Sequence, residues 1–551
     1  MKVLAATIGN CVHVGGVQAF LDIARSLGHE TVFLGTAVSV QSLVAAVKEL
    51  RPDVVALSYR LSPESARPLL EDLKAQVSGS PDLKKLRYLF GGTPPVVELA
   101  RATGTFSACF DGTEDRSAVI GALTGKTTQG APPRYAEDLV SRIGSSTFPL
   151  IRHHFGQPSL EKTIEGAARI AESGLLDILS IAPDQNAQES FFRTDEMDTK
   201  LDGAGGVPLR TPDDLRAIYS ATRRGNHPLL RCYSGTRELV KWGEMLKDTI
   251  KVAWGAVPLT WYSELDGRSK RSLSEAVREN QAAIKWYAEN GVPVEVNESH
   301  QWALRRSGDV VEVATAYIAA HNAKALGVRD YVCQFMFDTP RGISPAMDLA
   351  KMLAKIDLIQ PLSSDRFRTI RMVRSGLSSL SPDPNIAKGQ LASSVYSSMT
   401  IQPQIVHVVG FSEGDHAATA EEVIESCAIA RGAIMRAMLG KPDVSADPRI
   451  AARRVQLGEE ARMLVEAIRR LRNGGSDDSL ASPAVLAEAV KEGLLDATDL
   501  RGSKVARGRI LTDVVDGACV ALNPATRLPL PEKERIQGLA VSDKDLDLAE
   551  M

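Results

Sequence analysis

Short apolar runs alternate with helical stretches from the first residues of this chain, and that rhythm limits what it can fold into. Lys2–Ile8, Thr31–Leu34, Asp53–Ser58 and Tyr88–Phe90 read as strands. Between them, Val17–Leu27 and Ser42–Leu50 carry apolar residues at helical spacing, the second stretch ended by Pro52. Strands separated by whole helices pair in parallel, with helices on both faces of the sheet. Ligands of such sheets gather at the carboxyl ends of the strands, where His13, Ser58 and Gly91-Gly92 fall. This first domain is expected over residues 1–125, followed by a linker over 126–146 that contains Thr127–Pro133.

The alternation resumes on a larger scale over residues 147–440. Strand candidates are Leu150–Arg152, Leu176–Ile181, Leu229–Cys232, Val252–Val257, Val292–Asn297, Tyr331–Phe337, Thr369–Val373 and Ile405–Gly410. Eight strands separated mostly by helices fit a (β/α)8 TIM barrel. Residues 441–551 are expected to add a charged helix over Pro448–Arg472, the loop Asn473–Asp478, and a small α+β module ending in an acidic tail.

With 551 residues, the chain is too long for one hydrophobic core. A formal net charge of −3 argues against a nucleic-acid footprint. The six cysteines are scattered without a Cys-x-x-Cys pair, which points to reduced thiols in a cytoplasm and away from a zinc site. No export signal or membrane span is read from the sequence.

Chemistry first shows at Asn10-Cys11-Val12-His13-Val14-Gly15-Gly16, a histidine at a strand end with a glycine three residues on. The segment resembles the Asp-x-His-x-x-Gly motif of cobalamin-binding domains. Val54–Leu61 resembles that family's Ser-x-Leu strand end, Leu89–Thr93 its Gly-Gly turn, and Phe110–Thr113 its final loop. The resemblance implies a flavodoxin-like domain that binds cobalamin. His13 would be the cobalt ligand, with Cys11, Gly16, Ser58, Leu61, Gly91, Gly92, Thr93 and Gly112 around the cofactor. Cys11 stands where the family has aspartate. A carboxylate fixes the tautomer of the ligand imidazole and strengthens it as a donor, whereas a thiol makes only a weak hydrogen bond.

A cobalamin domain followed by a barrel resembles the adenosylcobalamin-dependent carbon-skeleton mutases. The closer likeness is to the glutamate mutase (methylaspartate mutase) family, with its two subunits fused in one chain. The resemblance rests on Pro228–Thr236, Asn290–Glu298, Ala418–Glu421 and Gly493–Asp496 with Gly508–Leu511. It implies adenosylcobalamin as cofactor, with Glu421 near its ribose. It also implies a radical 1,2-rearrangement of a small carboxylated substrate gripped by Arg152 and Arg231, with Tyr262 beside it. A planar guanidinium makes two parallel charge-assisted bonds to a carboxylate. The family's third arginine has no motif here, although Arg134 and Arg142 lie nearby. Val252–Tyr262 lacks the glutamate that would meet a substrate ammonium, so either the substrate differs from glutamate or its amine is handled differently.

Other polar residues sit near strand ends. Gln185, Asn297 and Glu298 could hydrogen-bond a substrate, and His416 could act on it; His300 is a further pocket candidate. The alternatives are a turn or helix cap for Gln185 and His416 and a structural ion pair for each arginine. His153 and His154 are adjacent on a strand and face opposite ways, so one of them should line the pocket. Two other readings stay open: a corrinoid-dependent methyltransferase, and a non-catalytic cobalamin-binding protein. A homodimer through the barrel is also expected.

Overall fold

The computed structural model describes residues 1–114, 116–124, 135–233, 235, 237–471 and 478–539. Most of the expected linker at 126–134, residues Ser234 and Thr236, the loop at 472–477 and the acidic tail lie outside them. The chain forms two compact units, Met1–Arg134 and Tyr135–Met551.

The first unit is built on β1 (Lys2–Ile8), β2 (Glu30–Val38), β3 (Val54–Tyr59), β4 (Arg87–Gly92) and β5 (Ala108–Phe110). All pair in parallel, in the order β2-β1-β3-β4-β5. The two-residue period of the strands sorts their side chains into two cores. Leu4, Ala6, Ile8 and Leu57 pack against Leu70 and Val97 on one face. Val3, Ala5, Val54 and Ala56 pack against Val17 and Leu21 of the helix Gly15–Ser26 on the other. Both faces are covered, so the strands read as nearly continuous apolar runs. Only the three-residue β5 is too short to announce itself as a strand.

The second unit closes the larger pattern into a barrel. Its strands are β6 (Leu150–Phe155), β7 (Ile178–Ile181), β8 (Leu229–Cys232), β9 (Gly255–Pro258), β10 (Val294–Asn297), β11 (Asp330–Phe337), β12 (Arg368–Ser375) and β13 (Ile405–His407). They form one eight-stranded parallel sheet in the order β8-β7-β6-β13-β12-β11-β10-β9. Between β8 and the residues leading into β9, a hydrogen bond from the Ala253 N–H to the Leu230 carbonyl, 2.8 Å long, bridges the seam.

Alternation again decides what fills the interior. Leu150, Ile178, Leu229, Trp254, Ile370 and Ile405 cluster as an apolar floor, joined by Leu139 from the helix Leu139–Ser145. Two residues further along their strands stand Arg152, Ser180, Arg231, Met372 and His407, all buried. The outward-facing residues, among them Ile151, Leu179, Leu230 and Val406, join the core beneath the surrounding helices.

The helix Pro448–Arg469 places Leu457, Ala461 and Leu464 in that same outer core, and a hairpin of β14 (Thr512–Val515) and β15 (Ala518–Ala521) follows. A buried charge cluster lies beneath this helix. Lys351 Nζ reaches Glu312 at 2.8 Å, Asp348 at 3.3 Å and Asp309 at 3.7 Å, and Arg453 holds the other oxygen of Asp309 at 2.9 Å. Burial draws the Lys351 ammonium down, but Glu312, Asp348 and Asp309 outweigh it and hold it above the ordinary lysine range. Among the described residues, no helix is long and apolar enough to cross a membrane.

Candidate functional sites in the two units

In the first unit, β1 ends at Ile8 and the chain turns at Gly9, whose φ of +66° favours glycine. The following loop carries Cys11 and His13. Cys11 is buried, its Sγ accepting the Arg60 N–H at 3.4 Å and lying 3.8 Å from His13 Nδ1. The Thr7 hydroxyl holds the Cys11 carbonyl, and the Tyr59 hydroxyl donates to Asn10 at 2.8 Å. His13 is exposed, and its Nε2 makes no hydrogen bond among the described residues. A loop pinned from below thus presents an imidazole outward.

Beside it lies a cavity of about 250 Å³ between the helix Gly15–Ser26 and the carboxyl ends of β3, β4 and β5. Phe20, Ile23 and Leu89 give it apolar walls, and Ser58, Arg60 and Asp111 give it polar atoms at the edge. Glycine keeps it open. A Cβ on Gly16 would project into empty space, and one on Gly92 would meet the Tyr59 carbonyl oxygen at 2.6 Å. Gly112, at φ +97°, turns the chain past the rim, where Glu114 accepts its N–H at 3.1 Å. A slot without side chains at its glycines suits a flat, largely apolar group such as the base of a nucleotide tail, so the residues present fit cobalamin. Of the residues expected here, Gly16, Ser58, Gly91, Gly92 and Gly112 line the cavity. Leu61 instead packs against the apolar core, and Thr93 precedes the first turn of the helix Pro94–Thr103; neither lines it.

The barrel holds a second cavity of about 570 Å³ above its interior layer of polar side chains. Arg152 is 2% exposed and donates to Ser180 Oγ at 2.8 Å, and its Nη2 lies 2.8 Å from His154 Nε2. Arg231 is 1% exposed, and its Nη1 donates to the same hydroxyl at 3.5 Å. Both guanidiniums lie over the Trp254 ring, at 5.3 and 5.1 Å from its centroid. One carboxylate serves the pair. Glu295 Oε2 lies 3.8 Å from Arg152 and 3.9 Å from Arg231, and it accepts the Trp254 indole N–H at 2.7 Å. The Nε and Nη2 of Arg231 are buried and have no hydrogen-bond partner.

Arg374, at the end of β12, also lines this cavity. Burial, followed by the field of Arg374, pulls His154 and His300 well below the ordinary histidine range; burial and then His154 do the same to His407. The three imidazoles are therefore neutral at physiological pH. Tyr233 lines the same wall, its hydroxyl 3.1 Å from His154 Nδ1, and burial raises its phenol.

Arg152, Arg231, Gln185, Asn297, Tyr262 and His300 meet in this cavity as the sequence anticipates. Of the histidine pair, His154 lines it, while the buried His153 places Nε2 3.4 Å from Glu413. Two expectations, for Glu298 and His416, are corrected. Glu298 does not line the cavity: its carboxylate accepts the Thr260 N–H at 2.9 Å and the Trp302 indole N–H at 2.7 Å, so it ties loops together. His416 is exposed on the surface between Asp415 at 2.9 Å and Glu422 at 3.0 Å. Glu421 is exposed and paired with Arg169.

Arg142 does not supply the missing third arginine, because its guanidinium is spent on the backbone carbonyls of Ala136 and His227 at 2.9 Å each. Arg134 lies outside the described residues. Arg374, Glu295 and Gln334 are among the cavity residues that the sequence did not single out. The signal was present as phase: Arg374 follows Ile370 and Met372 at the two-residue period that turns side chains inward. The expected strand stopped one residue short of it.

The family described as the B12 binding domain matches residues 1–119. No curated protein matches the chain. Among solved structures, a novel cobalamin-binding protein from Desulfitobacterium hafniense DCB-2 is 27% identical over 22% of this chain and 56% of its own length, with a TM-score of 0.19. The present chain thus spans about half of that protein. Yersinia pestis DHPS is 11% identical over 53% of this chain and 94% of its own, with a TM-score of 0.29. A 2,3-dimethylmalate lyase, a PEP mutase/isocitrate lyase superfamily member, is 13% identical over 58% and 93%, with a TM-score of 0.27. These overlaps are partial, and no assignment rests on them. The family match and the glycine-lined cavity beside His13 identify residues 1–119 as a B12-binding domain.

Proposed function

We propose that this protein is an adenosylcobalamin-dependent carbon-skeleton mutase, resembling glutamate mutase, that rearranges a small carboxylated substrate other than glutamate. The observation that carries the reading is the pair Arg152 and Arg231, buried side by side in a barrel on the same chain as a B12-binding domain. When bound, adenosylcobalamin supplies radical chemistry, and the protein's part is to bind, orient and shield.

In this reading His13 ligates the cobalt, with Cys11 behind its far ring nitrogen, and the glycine-lined cavity takes the nucleotide tail. In the barrel, Arg231 presents unpaired N–H groups to a substrate carboxylate, and Trp254 and Ser180 hold the guanidiniums in place. His154, neutral and held by Arg152 and Tyr233, braces the Arg152 guanidinium without adding charge, and His300, also neutral, offers a hydrogen bond. Enclosing walls keep water from a reactive carbon centre, which limits side reactions.

The test is electron paramagnetic resonance of the full chain with adenosylcobalamin and a panel of small carboxylic acids. A paramagnetic signal that appears only with a particular acid, together with its rearranged product, supports the reading. Methyl transfer without such a signal overturns it.

A further inference from the structure

Resting on the proposal that the barrel binds a carboxylated substrate, we infer that the substrate is a dicarboxylate dianion with no amino group, held between Arg231 on one wall and Arg374 with Gln334 on the other. Three observations carry this. The first is charge. Arg152 and Arg231 share the single carboxylate of Glu295, which leaves one positive charge in excess. Arg374 pairs with no carboxylate among the described residues and adds a second, while Arg268 is exposed at the rim and shares Asp266 with Arg305. With His154 and His300 neutral, the buried cavity carries two unbalanced positive charges, which a dianion neutralises.

The second observation is the kind of atom left without a partner. Buried in the cavity wall and without a hydrogen-bond partner are Arg231 Nε, Gln334 Nε2 and Arg231 Nη2, the last 3.9 Å from Glu295; all of them are donors. Buried donors need acceptors, and carboxylates bring acceptors only. An ammonium would bring three more donors. The buried carboxylate that could balance its charge, Glu295, is already committed to two guanidiniums and an indole; the other lining carboxylate, Glu189, is exposed at the rim.

The third is placement. In the eight-strand order β12 lies four strands from β8, so Arg374 and Arg231 stand on opposite walls. Gln334 pairs in register with Met372, which puts its amide on the Arg374 side. Two cationic walls facing each other match the two ends of a short dicarboxylate.

The experiment is calorimetric titration of the full chain, with and without adenosylcobalamin, using glutarate, butyrate and L-glutamate as probes. Glutarate is expected to bind at least tenfold tighter than either of the others. Arg374→Gln should lower glutarate affinity at least tenfold and butyrate affinity less than threefold, with Arg374→Lys recovering part of the loss. L-Glutamate binding as tightly as glutarate overturns the amine-free assignment and leaves the carboxylate reading standing. Butyrate binding as tightly as glutarate overturns the dianion assignment. If none of the three acids binds, this inference and the carboxylate reading fall together. Glutarate preference without any substrate-dependent paramagnetic signal keeps this inference and sinks the mutase.

Discussion

The two cavities of this protein are made in opposite ways. In the first unit, open space comes from missing side chains: Gly16 and Gly112 leave a slot, Gly92 lets the Tyr59 carbonyl approach its wall, and an exposed histidine stands beside it. In the barrel, the cavity is walled by buried ionic side chains that hold one another in place around Glu295 and Ser180. A large preformed cofactor is matched by backbone shape, which glycine permits. A small charged substrate is matched by preorganised charge in a low-dielectric interior, where each unpaired donor is costly. The first unit should therefore respond most to added volume, and the second to altered charge.

The largest effect is expected in the second unit's buried ionic cluster. Lys351→Met leaves Glu312, Asp348 and Asp309 without their shared cation and should destabilise the barrel by about 3–5 kcal/mol, read by urea denaturation. A change under about 1 kcal/mol would mean that charge is not what holds this unit together.

The next effect is acid sensitivity. His300 and His407 are buried, with pKa values well below the ordinary one of about 6.5. Below that value the unfolded chain takes up protons that the native barrel refuses, so stability falls as pH falls. The loss is up to about 1.4 kcal/mol per histidine per pH unit, or about 3 kcal/mol for the pair at pH 5.5. Replacing either histidine by glutamine should flatten the dependence. A barrel equally stable at pH 7.5 and pH 5.5 would contradict the neutral assignment.

The smallest effect belongs to the first unit. Gly16→Val adds a side chain where the structure has open space, so the fold should hold; the added bulk occupies the slot and lowers cobalamin affinity about tenfold in a visible-spectrum titration. Unchanged affinity would show that the cavity does not take the nucleotide tail.

Much of the architecture was legible because each strand carries its side-chain period openly. The barrel strands from Leu150 to His407 were read in place, as were His13 and the glycines of the first cavity, since strand ends locate sites in parallel sheets. What failed was aim rather than location. Glu298 and His416 follow strands in sequence, as Arg152 does, but Glu298 lies past the inward-facing Glu295 and Asn297 and turns to Thr260 and Trp302. His416 sits in a loop where Asp415 beside it and Glu422, in the first turn of the helix Ala420–Met438, take both ring nitrogens. Arg374 was hidden by a strand boundary one residue short, and Glu295 by its dependence on Trp254 and the two arginines, which come from other strands. Loop geometry and ion-pair choice depend on distant residues, which local periodicity does not report.

The proposed function rests first on His13 as the ligand that would hold the cobalt of a bound cobalamin. The direct measurement is the visible spectrum of the full chain with added cobalamin, compared with His13→Ala. The unaltered protein is expected to bind cobalamin with a spectrum close to that of the free cofactor, one nitrogen ligand replacing another, and His13→Ala to keep the fold but shift the spectrum to that of a cobalamin without a lower nitrogen ligand. A spectrum identical in both proteins, or no binding by the unaltered chain, would contradict it.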